Sequence, residues 1–455
     1  MPKTSKRVLA TAVVAALASA AVPAATAAAA TTSPSSSPTS SSSSSSGDAF
    51  YTYDGSKPLS SYAPGAVLKR RTLTYHIVGV PTPLKAIQLL YRTTDAQGRP
   101  AANVTTVVRS ITGDGSKAVS YQSFYDSLNP ADGPSRAIAG DVSLGGLIAN
   151  TENLFLAPLV AQGYTVVIPD TEGQSADFAA GPEYARNTLD SIRAASDPAA
   201  DTGMTTDTRV GLIGYSGGAI ATNWASALAP SYAPDVNERL VGYAEGGLLV
   251  DPAHNLKYVN GSLVWSGVIP MAVIGVARSY GIDLKPYLND YGLKVYSSLE
   301  HGSLLDALGH YPGLTWKKLT KPAYSDPDSI PEFVEAVNKV NLGSAPTPTI
   351  PGFIAEGNGG VFEGTFGNPP GIGRGDGVMV SGDVRALARQ YCATGKAPLK
   401  YHQYDLLSHI GTAAAWAPQA LAYLNARFTT KPAPTSCGSI PAGNDLTPEQ
   451  PTDPS

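Results

Sequence analysis

The pentapeptide Gly214-Tyr215-Ser216-Gly217-Gly218 places a serine at the spacing G-x-S-x-G. Residues 209–213 before it are short and largely apolar, as in a buried strand, and residues 219–229 after it are alanine-rich and helix-prone. A serine on a sharp turn between strand and helix is open to act as a nucleophile, and flanking glycines let the two elements pass closely. The sequence therefore predicts Ser216 as a catalytic nucleophile. A plain glycine-rich turn is the alternative.

A serine hydroxyl needs a histidine to take its proton and a carboxylate to hold that histidine in the right tautomer. Two histidines, His402 and His409, lie late in the chain. His402 falls inside a predicted strand at 399–404, whereas His409 follows that strand in the loop before the last predicted helix. Catalytic side chains belong on such loops, so the sequence favours His409 as the base over His402.

Three carboxylates are candidates for the acid: Asp376, Asp383 and Glu356. Asp376 follows the penultimate predicted strand, on a glycine-rich loop before a helix. Asp383 directly precedes the predicted helix at 384–392, where its side chain would serve as an N-cap instead. We therefore expect Asp376 to be the acid.

Predicted strands and helices alternate through the part of the chain that carries these residues. Predicted strands lie at 84–92, 103–110, 119–125, 164–168, 209–213, 240–245, 348–356 and 399–404. Predicted helices lie at 154–162, 184–195, 219–229, 384–392 and 413–428. This alternation predicts an α/β fold: a mostly parallel sheet with helices on both faces.

The pattern changes between residues 251 and 343, where helical segments follow one another without a strong strand. Helices are predicted at 264–277, 284–299, 304–311 and 331–340. We interpret this region as an inserted helical cap. Its apolar stretch 268–276 fits a lid that lines an acyl-binding tunnel, and it fits ordinary packing within the cap equally well.

The chain ends differ in composition from the rest. A basic start, an apolar run at 8–21 and the motif Ala25-Thr26-Ala27 predict a secretory signal peptide rather than a membrane anchor. The predicted organisation is a signal peptide at 1–27, a serine-rich disordered linker at 28–47, a core at 48–250, the cap at 251–343, the second part of the core at 344–440 and a disordered tail at 441–455.

The charge is −4 for the whole chain and −7 once Lys3, Lys6 and Arg7 leave with the signal peptide. No basic stripe is present, which argues against nucleic-acid binding.

Cys392 and Cys437 are the two cysteines; in an oxidising compartment they predict one disulfide, with two free buried thiols as the alternative. No paired-cysteine or paired-histidine spacing predicts a metal site, and no cofactor is implied.

Several motifs together resemble one known family, the secretory lipases, a lipase-A-like group of secreted α/β-hydrolases from fungi and actinobacteria. The resemblance spans about residues 60–440 and is carried by the segments 121–127, 163–173, 189–195, 214–234, 376–380, 392–395 and 437–438. It implies the α/β-hydrolase fold with an inserted helical cap.

The resemblance also implies roles for individual residues. Ser216 would be the nucleophile, Asp376 the acid and His409 the base. The oxyanion hole would be formed by the backbone of Gly217 and by Asp126, which must be protonated or donate through its main chain. An Asx-turn is the alternative role for Asp126.

Three features depart from the family pattern. Ala131 and Gly133 stand where the family often has a cysteine, so its first disulfide is absent. The acid loop Asp376-Gly377-Val378-Met379-Val380 lacks the usual glutamate and proline. The glycine-rich stretch 357–375 is longer than the family's short turn, which predicts a different entrance or a changed acid loop.

These observations predict a secreted, extracellular serine hydrolase that cleaves carboxylic esters of acyl lipids, most simply a triacylglycerol lipase working through an acyl-enzyme. The expected partners are the acyl-ester substrate and, transiently, a lipid interface, with no stable protein partner. The alternatives are a carboxylesterase for short-chain or polymeric esters, a peptidase, and a catalytically inactive secreted binding protein.

Overall fold

The computed structural model describes residues 48–429 and 431–453. In this part of the chain nine strands form one sheet. They are β1 (Val67–Ile77), β2 (Val80–Thr94), β3 (Pro100–Val108), β4 (Lys117–Gln122), β5 (Thr165–Pro169), β6 (Arg209–Tyr215), β7 (Leu240–Gly246), β8 (Gly352–Gly357) and β9 (Leu399–Tyr404). Their spatial order is β1-β2-β3-β5-β4-β6-β7-β8-β9.

The sheet is parallel from β5 through β4, β6, β7 and β8 to β9. The strands β1, β2 and β3 extend it as an antiparallel ribbon. The carboxyl ends of the parallel strands meet at one edge, where loops from distant parts of the sequence can assemble a site. This architecture confirms the predicted α/β-hydrolase fold. The sequence pattern does not predict β1, because an edge strand is half exposed and carries charges, here Lys69, Arg70 and Arg71.

Thirteen helices accompany the sheet within the described residues. They are α1 (Pro134–Ala139), α2 (Leu147–Ala161), α3 (Gly181–Ala195), α4 (Gly217–Tyr232), α5 (Pro234–Asn237), α6 (Pro252–Val259), α7 (Val268–Tyr280), α8 (Asp290–Leu299), α9 (Leu304–Ala307), α10 (Trp316–Leu319), α11 (Pro331–Lys339), α12 (Ser381–Thr394) and α13 (His409–Arg427).

Alternate strand residues enter two apolar cores, one on each face of the sheet. Val167, Leu212 and Ile354 pack on the side of α3, α4 and α12. Their chain neighbours, including Ile213 and Phe353, pack on the side of α2 and α13. The first core also takes in α7, so the helical segment 251–343 is buried against the body of the protein.

Two of the predicted cap helices are shorter in the structure. The prediction of one helix over 284–299 is wrong at its start, because Asn289 caps α8 by accepting from the Gly292 N–H. The prediction over 304–311 is wrong at its end, because Leu308 after Ala307 is already extended, with ψ 114°, and Gly309 follows with φ 75°.

Near the chain end, side chains between residues 441 and 453 contact the body of the protein. The side chain of Asn444 donates to Asp383 Oδ1 over 2.6 Å, and Glu449 pairs with Lys257 over 2.9 Å. These polar residues find fixed partners on α12 and α6, which composition alone does not show. The predicted signal peptide and linker lie outside the described residues. No helix among the described residues is both long and apolar enough to cross a membrane.

Cys392 and Cys437 form a disulfide that joins the end of α12 to the segment after α13. The two cysteines are 45 residues apart in sequence. Cross-linking a loop of this length removes entropy from the unfolded chain.

We expect replacement of both cysteines by serine to lower the free energy of unfolding by about 3–4 kcal/mol. The measurement is urea unfolding of the oxidised wild type and of the double variant. Reducing the wild type should reproduce the loss, and adding reductant to the double variant should change nothing. Equal midpoints for the oxidised wild type and the variant would contradict the prediction.

Candidate active site

Ser216 lies on the turn between β6 and α4 with a positive φ of 53° and ψ of −120°, a combination that non-glycine residues rarely adopt. Two glycines make this turn sterically feasible. A Cβ on Gly214 would lie 2.2 Å from the Gly218 carbonyl oxygen, and one on Gly218 would lie 2.1 Å from the Gln122 carbonyl oxygen. The backbones of β4, β6 and α4 therefore approach so closely that no side chain fits between them. Ser216 lies just beyond this contact, at the carboxyl edge of the sheet.

The structure brings Ser216, His409 and Asp376 into one hydrogen-bonded line. His409 Nε2 lies 2.8 Å from Ser216 Oγ, and Nδ1 lies 2.6 Å from Asp376 Oδ2. A carboxylate can only accept, so Nδ1 carries the proton and Nε2 is free to accept the serine proton. All three side chains are buried, with Ser216 the most accessible at 9% exposure.

Backbone contacts fix the two partners of the serine. Asp376 Oδ1 accepts from the N–H groups of Val378 and Met379, and its carbonyl accepts from the His409 N–H over 2.7 Å. The structure differs from the expectation that His409 lies in a loop before a helix at 413–428. Helix α13 begins at His409 itself, because Ser408 caps it by accepting from the Gly411 N–H.

His402 and Asp383, the less favoured candidates for base and acid, lie away from the hydrogen-bonded residues Ser216, His409 and Asp376. His402 is exposed on β9, where its ring meets that of Tyr404 edge to face, with centroids 4.4 Å apart. Asp383 lies in the first turn of α12 and bonds to His254 Nδ1 over 2.9 Å. Its predicted N-cap role is wrong, because α12 begins at Ser381 with Val380 as its N-cap.

Glu356, the third candidate acid, lies behind Asp376 at the end of β8. Its Oε2 accepts from the Leu248 N–H over 3.1 Å. Burial, the charge of Asp376 and a hydrogen bond between the two side chains raise the pKa of Glu356 well above its usual range. Glu356 is thus driven toward its neutral form and contacts Asp376 rather than His409.

Two residues that the sequence analysis does not identify complete the surroundings of His409. The indole of Trp265 meets the imidazole edge-on, with ring centroids 5.1 Å apart. Glu363 accepts from Trp265 Nε1 over 2.7 Å and from the Ile410 N–H over 2.9 Å. Glu363 belongs to the glycine-rich stretch 357–375. The unusual length of that stretch is the one sequence feature that points to a residue near the site there.

The charges around His409 govern its protonation. Burial acts to lower the pKa of His409, but the charge and hydrogen bond of Asp376, together with the charges of Glu363 and Asp126, raise it overall above its ordinary value. The charged imidazolium form of His409 is therefore favoured at this position.

Asp126 faces the elbow from the loop after β4. A Cβ on Gly217 would lie 1.8 Å from Asp126 Oδ1, so the carboxyl group lies directly over the first residue of α4. The amide of Gly217 is one of the helix N-terminal donors that lack a partner within the helix. Burial raises the pKa of Asp126 to about 7, although a charged His409 acts in the opposite direction. The carboxyl group can therefore be neutral and donate a hydrogen bond.

The loop that carries Asp126 is bonded to the cap. The Leu304 N–H donates to the Asp126 carbonyl, and the Leu128 N–H donates to the Gly302 carbonyl, each over 2.8 Å. Arg278 of α7 donates to the carbonyl of Leu128 over 3.1 Å and also to that of Glu300. The position of Asp126 thus depends on residues of the helical insertion.

An apolar cavity begins at the elbow and extends beneath the cap. It encloses about 920 Å³ of space between atoms, its open mouth included. Its polar lining residues are Asp126, Ser216 and Asn255, and the rest of the wall is nearly all aliphatic or aromatic. Helix α7 supplies one wall through Val268, Ile269, Ala272, Val273, Val276 and Ala277.

The arrangement brings a serine hydroxyl, an imidazole and an acidic side chain together beside Asp126 and the first amide of α4. Such a group can transfer an acyl group through a tetrahedral oxyanion. Among the described residues, no group of three or more histidine, cysteine, aspartate or glutamate side chains is arranged to hold a metal ion.

Comparison with known proteins gives consistent matches. The secretory lipase family matches residues 140–436. Lipase 5 of Candida albicans is 31% identical over 404 residues, which cover 87% of this chain and 83% of that protein. A Mycobacterium tuberculosis protein named as a probable inactive lipase is 31% identical over 376 residues, which cover 81% and 79%. The closed-state X-ray structure of Candida antarctica lipase A superposes with a TM-score of 0.75 at 24% identity, over 90% of this chain and 91% of that one.

We expect the reactivity of Ser216 toward a serine-directed phosphonate to rise with pH through the pKa of His409, because the neutral imidazole must accept the proton. Asp376→Asn should move the inflection to lower pH and slow labelling at the plateau by roughly 10³- to 10⁴-fold. The measurement is the rate of adduct formation by mass spectrometry, with His402→Gln as the matched control. Unchanged labelling in Asp376→Asn, or a loss in His402→Gln, would contradict the assignment.

Proposed function

Because this chain belongs to the secretory lipase family, we propose that it is a secreted triacylglycerol lipase that uses Ser216, His409 and Asp376. The family makes the chain a lipase or carboxylic ester hydrolase. The observation that carries the finer proposal is the line Ser216–His409–Asp376 at the end of an apolar cavity.

In the proposed reaction, Ser216 Oγ attacks the ester carbonyl carbon while His409 Nε2 takes its proton. The developing oxyanion accepts from the Gly217 N–H and from the neutral carboxyl of Asp126. His409 then protonates the leaving alcohol oxygen, and an acyl-enzyme remains on Ser216. Water activated by His409 releases the fatty acid by the same steps in reverse.

The same contacts suggest separate roles for the segments of the chain. Segments 48–250 and 344–440 would form the catalytic core, and 251–343 would form the cap that receives the acyl chain. The family's description as secretory supports an extracellular location, with residues 1–27 as the proposed signal peptide. The named inactivity of the mycobacterial relative makes a direct activity test necessary for this chain.

The proposal is tested with p-nitrophenyl esters from acetate to palmitate. We expect an optimum on long acyl chains that Ser216→Ala abolishes. Ala272→Phe places a ring in the cavity, so the ratio of long-chain to short-chain kcat/KM should fall by roughly 10-fold or more. The matched control is Ala157→Phe on the solvent face of α2, which should change nothing. An optimum on acetate or butyrate in the wild type would favour the esterase alternative.

The role of Asp126 gives a pH prediction. The carboxyl donates while it is protonated, so kcat/KM should fall as the pH rises through its pKa of about 7. Asp126→Asn keeps a donor but does not titrate, and we expect the alkaline limb to disappear in this variant. Asp126→Ala should lower kcat by about 10²- to 10³-fold. The measurement is a pH–rate profile, and an unchanged alkaline limb in Asp126→Asn would contradict the role.

A further inference from the structure

One polar side chain, Asn255, interrupts the apolar wall of the cavity beneath the cap. Helix α6 presents Pro252, Asn255 and Leu256 to the cavity at helical spacing. Asn255 is 3% exposed, and the other polar lining residues, Asp126 and Ser216, belong to the elbow and to the loop that faces it. A wall for an unsubstituted alkyl chain gains nothing from a carboxamide, because a buried polar group must give up its hydration.

The nitrogen and the oxygen of this carboxamide have different surroundings. Nδ2 of Asn255 donates to the Val378 carbonyl and lies 3.6 Å from Met379 Sδ. Because a carbonyl oxygen can only accept, this contact fixes which side of the amide carries the nitrogen. Oδ1 is buried and has no hydrogen-bond partner among the described residues. The contact with the acid loop therefore accounts for the nitrogen of Asn255 but not for its oxygen.

Hydrogen bonds at the start of α6 hold the amide in place. Asp251 caps the helix by accepting from the Ala253 N–H over 3.0 Å. The other carboxylate oxygen of Asp251 accepts from Asn341 Nδ2, also over 3.0 Å. An acceptor that is already fixed loses little freedom when a ligand binds, so it can discriminate between ligands with and without a donor.

The surroundings of Asn255 favour a neutral hydroxyl group as the missing donor. An ammonium group would have to give up its hydration among aliphatic side chains, which is costly. An amide N–H would bring a carbonyl that needs a donor of its own, and the indole N–H of Trp265 in the cavity wall is already bonded to Glu363 over 2.7 Å. A hydroxyl group adds one donor and little volume to an acyl chain.

We propose that the cavity selects acyl chains that carry a hydroxyl group, which donates to Asn255 Oδ1, so that esters of hydroxylated fatty acids are the preferred substrates. This inference rests on the proposed lipase function, which places an acyl chain in the cavity, and it narrows the substrate class. Because the amide is fixed on α6, the preference applies to a hydroxyl at one position along the chain.

The first test measures binding without turnover in a Ser216→Ala background. Displacement of a fluorescent fatty acid compares palmitate with hydroxypalmitates that carry the hydroxyl at successive positions. We expect one isomer to bind about 10-fold more tightly than palmitate. The oxo analogue at that position lacks a donor and should bind no better than palmitate. Equal affinities for all isomers would overturn the proposal, and tighter binding of the oxo analogue would do so by indicating a donor in the wall.

A substitution in the same background assigns the preference to Asn255. Asn255→Leu is similar in volume, and we expect the ratio of hydroxypalmitate to palmitate affinity to fall to about one. Comparing two ligands within one variant cancels any loss caused by the freed Val378 carbonyl. The matched control is Ser262→Ala, which removes another buried, unpartnered oxygen outside the cavity lining and should keep the preference. A preference that persists in Asn255→Leu would overturn the assignment, whereas the hydroxy and oxo comparison needs no substitution at Asn255.

Activity gives the second readout, in the enzyme that retains Ser216. The kcat/KM of the p-nitrophenyl ester of the preferred hydroxy acid should exceed that of the palmitate ester by about 10-fold, and Asn255→Leu should remove this difference. Equal kcat/KM values in the wild type, or an equal loss on both esters in Asn255→Leu, would overturn the proposal and leave Asn255 a purely structural role. A wild type that hydrolyses neither ester would refute the proposed function, whereas the displacement measurement would still decide the hydroxyl preference.

Discussion

The site depends on how closely β4, β6 and α4 approach one another beneath Ser216. Glycines at 214 and 218 allow contacts that any side chain would block. Such packing holds the serine at φ 53°, a conformation that an isolated turn would not keep. Because β4 also leads to Asp126, the same approach determines the distance between Ser216 and Asp126. A small displacement of α4 would therefore alter both the conformation of Ser216 and its distance from Asp126.

Electrostatics then separates the roles of carboxyl groups that lie within one small region. Asp376 is held by two backbone donors and faces His409, whereas Glu356 behind it is driven toward the neutral form by burial and by the charge of Asp376. Asp126 is also buried and titrates near neutrality. Environments that push pKa values apart let similar side chains act as charge stabiliser, supporting acid and hydrogen-bond donor.

The sequence predicts those parts of the molecule that local rules govern. The elbow at Ser216 combines a strand, a turn and a helix in one short segment, and His409 is recognisable by its place after β9. Asp126 is a candidate only through the resemblance, since nothing local in the sequence singles out this loop aspartate. Trp265 and Glu363 were not predictable, because their contact joins residues 98 positions apart and depends on how the cap lies on the core. The order of the chain end likewise depends on partners distant in sequence.

The bonds between residues 302–304 and the loop of Asp126 have a consequence for the evolution and engineering of this fold. Caps are commonly regarded as exchangeable parts that alter selectivity and leave chemistry to the core. Here one segment of the helical insertion both follows the helix that lines the cavity and bonds to the backbone around Asp126. Replacing the insertion would therefore alter the support of Asp126 as well as the wall of the cavity, so one exchange changes both regions.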